Sequence, residues 1–224
     1  MKAHFRLSIL LAALAVGVIP LAGTAAASAD SGALTDSQEA AARVNMTRGG
    51  ISPHIQDALI EKLEAGIAPD SLGEASPVDI VTERTPSGTR TIQIFEDGSR
   101  TWTEIQTTSA KPSGPTINAS ISGCRSSGGW KVGCRVGIYD LISSATFVID
   151  YQTSTSARAK VRDMRSLTCD NIAGPCTRSG GIKRATQSTA GPAWAELSYA
   201  ASAGWVHTKG SFGIRVSGTS VTTY

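Results

Sequence analysis

From residue 117 onward the chain breaks into eight short strand-like runs separated by Ser, Gly, Thr and Pro, and that pattern constrains the fold more than any other feature. The runs cover residues 117–122, 130–140, 145–153, 157–166, 181–187, 194–201, 206–216 and 219–223. Alternate residues of a strand face opposite ways. In the third run Phe147, Ile149 and Tyr151 therefore point inward, and Thr146, Val148 and Asp150 share the mixed face. Trp130, Val132, Trp194, Leu197, Trp205, Phe212, Ile214 and Val216 are the further core candidates. Seven or eight short strands in little more than a hundred residues, with no helical periodicity among them, predict an all-β domain, a sandwich or small barrel.

All four cysteines, Cys124, Cys134, Cys169 and Cys176, fall in this half. Their compartment is read from the other end of the chain. Lys2 and Arg6 precede an apolar run from Leu7 to Val18, and Ala27-Ser28-Ala29 fits a signal-peptide cleavage site, with cuts after Ala25 or Ala27 as alternatives. Residues 1–29 thus read as a signal peptide, which predicts a secreted, extracellular protein. No later run approaches the roughly 20 apolar residues of a spanning helix. Outside the cytoplasm an even cysteine count predicts complete pairing. Three connectivities exist, and the turn-rich intervals 124–134 and 169–176 favour pairing between neighbours. Neither spacing suits structural zinc, and C-x-x-C is absent.

Charge divides the rest of the chain. Residues 30–110 carry 6 basic and 13 acidic side chains, whereas 111–224 carry 13 basic and 5 acidic. A Ser-, Pro- and Gly-containing linker at 108–116 separates an acidic segment, 30–107, from a basic one, 117–224. The acidic segment predicts a weak helix over about 36–44, capped by Asp36 or Thr35. A better helix follows with Ser52 as N-cap, Pro53 at its first position, an apolar stripe of Ile55, Leu59, Ile60 and Leu63, and its end at Gly66. Runs at 78–85, 89–95 and 100–107, divided by Pro86-Ser87-Gly88 and Glu96-Asp97-Gly98-Ser99, predict a three-stranded antiparallel meander that covers the stripe. The expected fold is this α+β segment followed by the all-β domain with two disulfides.

Three stretches carry a resemblance: Leu59-Ile60-Glu61-Lys62-Leu63-Glu64-Ala65-Gly66 with Asp70-Ser71, Phe95-Glu96-Asp97-Gly98-Ser99, and Ile121-Ser122-Gly123-Cys124. The chain resembles a group of secreted actinobacterial proteins with an N-terminal helix and meander and a C-terminal cysteine-containing β domain. The resemblance implies secretion and a two-part layout. It supplies no activity and no catalytic residue.

A direct search for chemistry returns little. His54 and His207 are the only histidines after the signal. His54 reads as a solvated residue of a helix's first turn. His207 has Ser211 nearby in sequence and Asp140, Asp150, Asp163 or Asp170 as partners for a triad, but neither G-x-S-x-G nor H-E-x-x-H is present. Glu61, Glu64 and Asp70 read as a solvated helix face rather than a glycosidase carboxylate pair. No His, Asp and Glu cluster has metal-ligand spacing, and no cofactor is implied. Asn45-Met46-Thr47 and Asn118-Ala119-Ser120 match the glycosylation pattern by chance, given a bacterial signal.

The distinctive surface feature is Arg158-Ala159-Lys160-Val161-Arg162-Asp163-Met164-Arg165. Alternation sends Ala159 and Val161 inward and sets Arg158, Lys160 and Arg162 in a ridge, with Arg165 beyond and Arg178, Lys183 and Arg184 further along. Such a ridge suits a polyanion: an anionic cell-wall polymer or an anionic membrane surface. Nucleic acid is excluded by compartment and by the lack of interleaved aromatic platforms. The leading expectation is a non-enzymatic protein that binds an envelope component or another macromolecule. A bacteriocin-like antagonist with an acidic shielding segment, motivated by the charge split, is the second expectation, and a hydrolase with an unrecognised site is the third.

Overall fold

Thr35 opens the first helix with a capping box: its hydroxyl accepts from the Gln38 amide while the Gln38 side chain accepts from the Thr35 amide. These and all following details come from a computed structural model, which describes residues 34–106 and 123–224 apart from Trp205. The expected signal peptide, the linker, the run 117–122 and Trp205 lie outside the described residues. Helix α1, Asp36–Arg48, runs one turn beyond the expected end and stops at Gly49. Its buried side is narrow, Ala42 and Met46, which is why the sequence reads as weakly amphipathic. Helix α2, Pro53–Glu64, has Pro53 in its first turn and buries Leu59, Ile60 and Leu63 as the stripe predicts, with Ile55 half-buried.

The three strands of the meander form as expected, but they do not cover the α2 stripe as the sequence predicts: its apolar neighbours are α1, Leu72 and residues of the basic segment, whereas Ile92 and Trp102 of the meander pack with Tyr139. Strands β1 (Asp79–Thr85), β2 (Gly88–Ile94) and β3 (Arg100–Gln106) pair antiparallel. It does not end there. Strand β3 also pairs with β5 (Trp130–Tyr139), Trp102 opposite Tyr139 and Ile105 opposite Val136. Strand β5 is followed by β6 (Ser143–Gln152) and β7 (Lys160–Asn171), and a short β4 (Arg125–Ser127) shares with β3 the same edge of β5. The acidic and basic segments thus contribute to one seven-stranded sheet. A second sheet holds β8 (Cys176–Arg184), β9 (Ala193–Ala203), β10 (Val206–Ser217) and β11 (Ser220–Thr223) in the order β11-β10-β9-β8.

The two sheets lie sandwich-like over a common core. Cys134 and Val136 of β5, Phe147, Ile149 and Tyr151 of β6 and Val161 of β7 meet Leu197 of β9 and Phe212, Ile214 and Val216 of β10. Phe147 and Phe212 bridge the sheets, ring centroids 5.6 Å apart. At about 1.5–3 kcal/mol for each large apolar side chain buried, this cluster is the main source of stability. The segment after β8 returns to β7, where the Val161 amide donates to Ala185 and the Gln187 amide to Ala159, joining the sheets along one edge. Both disulfides link neighbours, Cys124–Cys134 and Cys169–Cys176.

The helices close one end of this body. Met46, Leu59, Ile60, Leu63 and Leu72 pack with Leu141 and Ile142 after β5, Ile172 after β7, and Val206 at the start of β10. Trp102 and Tyr139 stack at 5.7 Å, and the Arg48 guanidinium lies 4.0 Å from the Tyr139 ring centroid. Two of the sequence stretches singled out above, residues 59–71 and 95–99, touch here. Asp97 accepts from Lys62 Nζ (2.9 Å) and from the amides of Asp70 and Ser99 (both 2.9 Å), and Ser99 Oγ accepts from the Ser71 amide (2.9 Å). Lys62, Asp70 and Asp97 are a clasp between the β2–β3 turn and the end of α2.

The core candidates divide. Leu197, Phe212, Ile214 and Val216 are buried; Trp130, Val132 and Trp194 are only half-buried. Gly133, at φ +75°, sits in a bulge where the β5–β6 register shifts between Lys131 and Cys134, so the alternation that buries Cys134 and Val136 does not extend to Trp130. Trp194 has the parity of Glu196 and Ser198, opposite to buried Ala195 and Leu197, and stands on the outer face with Tyr224 edge-on to it.

Candidate functional site

The expected ridge forms where β7 begins. Ala159 and Val161 are buried, while Arg158, Lys160 and Arg162 are exposed. Past Arg162 the simple alternation fails. Asp163 and Ser166 adopt left-handed φ values of 52° and 51°, and the β6–β7 register shifts on both sides of Val148. These two bulges turn Met164 and Leu167 toward the core and leave Arg165 outside, opposite Val148. Val148 in turn lies opposite Arg135 of β5. Arg135 therefore joins the same outer face, and sequence reading missed it. The available signal was its parity, opposite to Cys134 and Val136.

Not all of these charges are free. Asp150, buried under the face, accepts from both terminal nitrogens of Arg165 (3.1 Å each) and from the Gly133 amide (2.9 Å). Arg162 Nε lies 3.6 Å from Asp150 and 3.4 Å from Asp163, and its guanidinium stacks on Trp130 at 4.0 Å. The bulged turn and one buried carboxylate thus fix Arg162 and Arg165 in place. Arg158 and Lys160 make no ion pair among the described residues. With Arg135, which also makes no ion pair among the described residues, the face holds three unneutralised cations beside two oriented guanidinium groups. Arg178, Lys183 and Arg184 lie on the other sheet. Lys183 meets Glu196 at 3.6 Å, and Arg184 donates to the Pro192 carbonyl.

The histidine reading finds no acid. His207 Nδ1 and Ser202 Oγ are 2.8 Å apart across the β9–β10 ladder, both beside a groove on the outer face of the second sheet. Ser211 bonds instead to Ser198 (2.7 Å). Asp140 is buried as a turn cap that accepts from the Ile142 and Ser143 amides and the Ser143 hydroxyl, and burial pushes its carboxyl up despite those bonds. Asp150 and Asp163 belong to Arg162 and Arg165, and Asp170 is exposed on β7. His54 is exposed. Of the three acids considered for glycoside chemistry, Asp70 belongs to the Lys62 clasp and Glu61 and Glu64 are exposed. Among the described residues no His, Cys, Asp and Glu group is arranged to hold a metal ion, and no helix is long and apolar enough to cross a membrane.

The ion pairs respect the charge boundary. Arg43, Arg48, Lys62 and Arg90 take acids of the acidic segment, and Arg162, Arg165 and Lys183 take acids of the basic one. Among the described residues none crosses. The halves meet through the β3–β5 ladder, the helix cluster and the Trp102–Tyr139 stack. Comparison with protein-family models, curated proteins and solved structures finds no match for this chain.

Proposed function

We propose that this is a secreted, non-enzymatic binding protein that engages an anionic polymer of the cell envelope through the outer face of β7. The carrying observation is the pairing state of the ridge: Arg158 and Lys160 are exposed without an ion-pair partner among the described residues, beside guanidinium groups that Asp150 and Trp130 hold in fixed orientations. Oriented arginines lose little freedom on meeting an anion, and free cations supply long-range attraction that salt screens. The neighbour-paired disulfides accord with an oxidising compartment. The removable-shield reading gains no support from ion pairing, because no acidic side chain of residues 34–106 reaches a basic one of 123–224.

Sedimentation with purified cell walls tests the proposal. The protein is expected to pellet at low salt and to be released at high salt. The double variant Arg158→Glu, Lys160→Glu is expected to bind at least about tenfold more weakly, at roughly 1 kcal/mol per surface cation, with an unchanged melting temperature. Protein that stays in solution at low salt, or a double variant that binds like the parent, overturns it.

A further inference from the structure

The cations of the ridge share a repeat that continues through a break in the strand. Arg158, Lys160 and Arg162 are alternate residues, exposed on either side of buried Ala159 and Val161. The next outward cation, Arg165, comes one residue later than alternation requires. Asp163 accounts for the difference: its left-handed φ of 52° makes it the extra residue of a bulge. On the neighbouring strand β6 the residues opposite Lys160, Arg162 and Arg165 are Gln152, Asp150 and Val148, which step evenly by two. Measured against β6, the bulge therefore keeps Arg165 in the row, where plain alternation would put Met164. Arg158, Lys160, Arg162 and Arg165 occupy successive outward positions at a repeat of about 7 Å, in a line roughly 20 Å long. Arg135, opposite Val148 on β5, flanks its far end. Asp150 lies buried beneath the row, and beside it Asp163 is the one exposed acid, 3.4 Å from Arg162 Nε.

A row of this period matches some polyanions and not others. From one residue to the next but one, a strand advances six backbone bonds, about 7 Å. A glycerol phosphate chain linked through its terminal carbons also advances six single bonds from one phosphorus to the next, so when extended it carries its charges at about the same 7 Å interval. Laid beside β7, such a chain sets successive phosphates against successive cations. A ribitol phosphate chain is two bonds longer in each unit, about 9 Å, and falls out of step along the row. A polyuronate hangs its carboxylates on rings and turns successive ones to different sides of the chain. Guanidinium forks grip two phosphate oxygens at once, and those of Arg162 and Arg165 are already oriented by Trp130 and Asp150.

We propose, resting on the wall-binding role of the ridge, that its polymer is a linear glycerol phosphate chain laid along β7, with one phosphate each on Arg158, Lys160, Arg162 and Arg165. The bulge at Asp163 is then a device of the site, since it holds the fourth cation in step with the other three.

Titration calorimetry of the full chain with synthetic glycerol phosphate oligomers tests the assignment. Affinity is expected to rise with oligomer length until the row is filled and then to level. A ribitol phosphate oligomer of equal charge is expected to bind about fivefold more weakly, the loss of one aligned cation. Lys160→Glu is expected to weaken glycerol phosphate binding at least about tenfold, whereas Lys209→Glu, the same change of charge on the second sheet, leaves it unchanged. Arg158→Gln, outside the β6–β7 ladder, gives the same reading in smaller measure should Lys160→Glu misfold. Equal binding of ribitol phosphate or polygalacturonate at equal charge, or equal effects of Lys160→Glu and Lys209→Glu, overturns the inference. Oligothymidylate has the same six-bond repeat but no free ring to stack on, because Arg162 already covers Trp130; tighter binding of it would give the row to a single-stranded nucleic acid. Cell walls that retain the protein while chains of both spacings bind alike would leave the wall-binding role standing and overturn only the choice of polymer. Binding of the glycerol phosphate chain by a protein that no wall retains would do the reverse.

Discussion

Asp97→Ala removes the acceptor that ties the meander to α2. The carboxylate receives three donors at 2.9 Å, Lys62 Nζ and the amides of Asp70 and Ser99, and its side chain is only 10% exposed. Hydrogen bonds to a charged group contribute about 1.5–3 kcal/mol each, and the half-exposed Lys62 falls at or below the low end because water competes for it. The two amides would be left without this acceptor, so the expected loss is about 3 kcal/mol. Asn at 97 keeps one acceptor oxygen and is expected to lose about half as much. Urea denaturation followed by tryptophan fluorescence reads the change directly, with buried Trp102 beside the helices as one reporter. Acid supplies a second reading. Burial works to raise Asp97, but hydrogen bonds from Ser99, the Asp70 amide and Lys62 outweigh it and hold the carboxyl below its ordinary range. Its contribution is therefore complete above about pH 4 and is lost as pH falls through the lower folded value. Lys62 runs the other way: raised chiefly by its bond to Asp97, it contributes fully below its ordinary range and loses that contribution in strong alkali. A loss below 1 kcal/mol in Asp97→Ala, or the same acid limb in Asp97→Asn as in the parent, would refute the clasp.

Gly49 has an ordinary φ of −73°, yet a Cβ there would lie 2.6 Å from Trp102, which is packed against Tyr139 and cannot retreat. Gly49→Ala is expected to cost about 1–3 kcal/mol by thermal denaturation; a cost no larger than a few tenths would show that the ring yields. A protease site placed within 108–116 and cut is expected to leave two fragments that coelute in gel filtration and separate only in denaturant, because a ladder and an apolar cluster join them. Separation in buffer would restore the releasable-shield reading.

Local signals made the elements legible. Thr35, Pro53 and Gly66 marked helix ends through backbone chemistry, and period-two alternation gave seven of the β runs near their observed positions. Long-range pairing left no such mark. Nothing in residues 100–106 distinguishes a strand with one neighbour from one with two, so the continuity of β3 with β5 stayed hidden behind a change of charge. That change was itself misleading as a guide to contact, since Glu104 and Asp97 are matched by Arg48, Arg90 and Lys62 of their own segment. The ridge was legible as far as Arg162. Beyond it, bulges at Asp163 and Ser166 decide which way Arg165 points, and non-glycine residues with positive φ carry no sequence signature strong enough to foresee.

Shared membership of one sheet also orders events in time. A chain made from its N-terminus completes residues 100–106 before 130–139 exist, so β3 must wait with one edge open until β5 emerges. An open edge is a template for any other strand in reach. The interval between those two segments is thus the period in which this chain is most exposed to pairing with its neighbours, and lengthening residues 107–129 would prolong it.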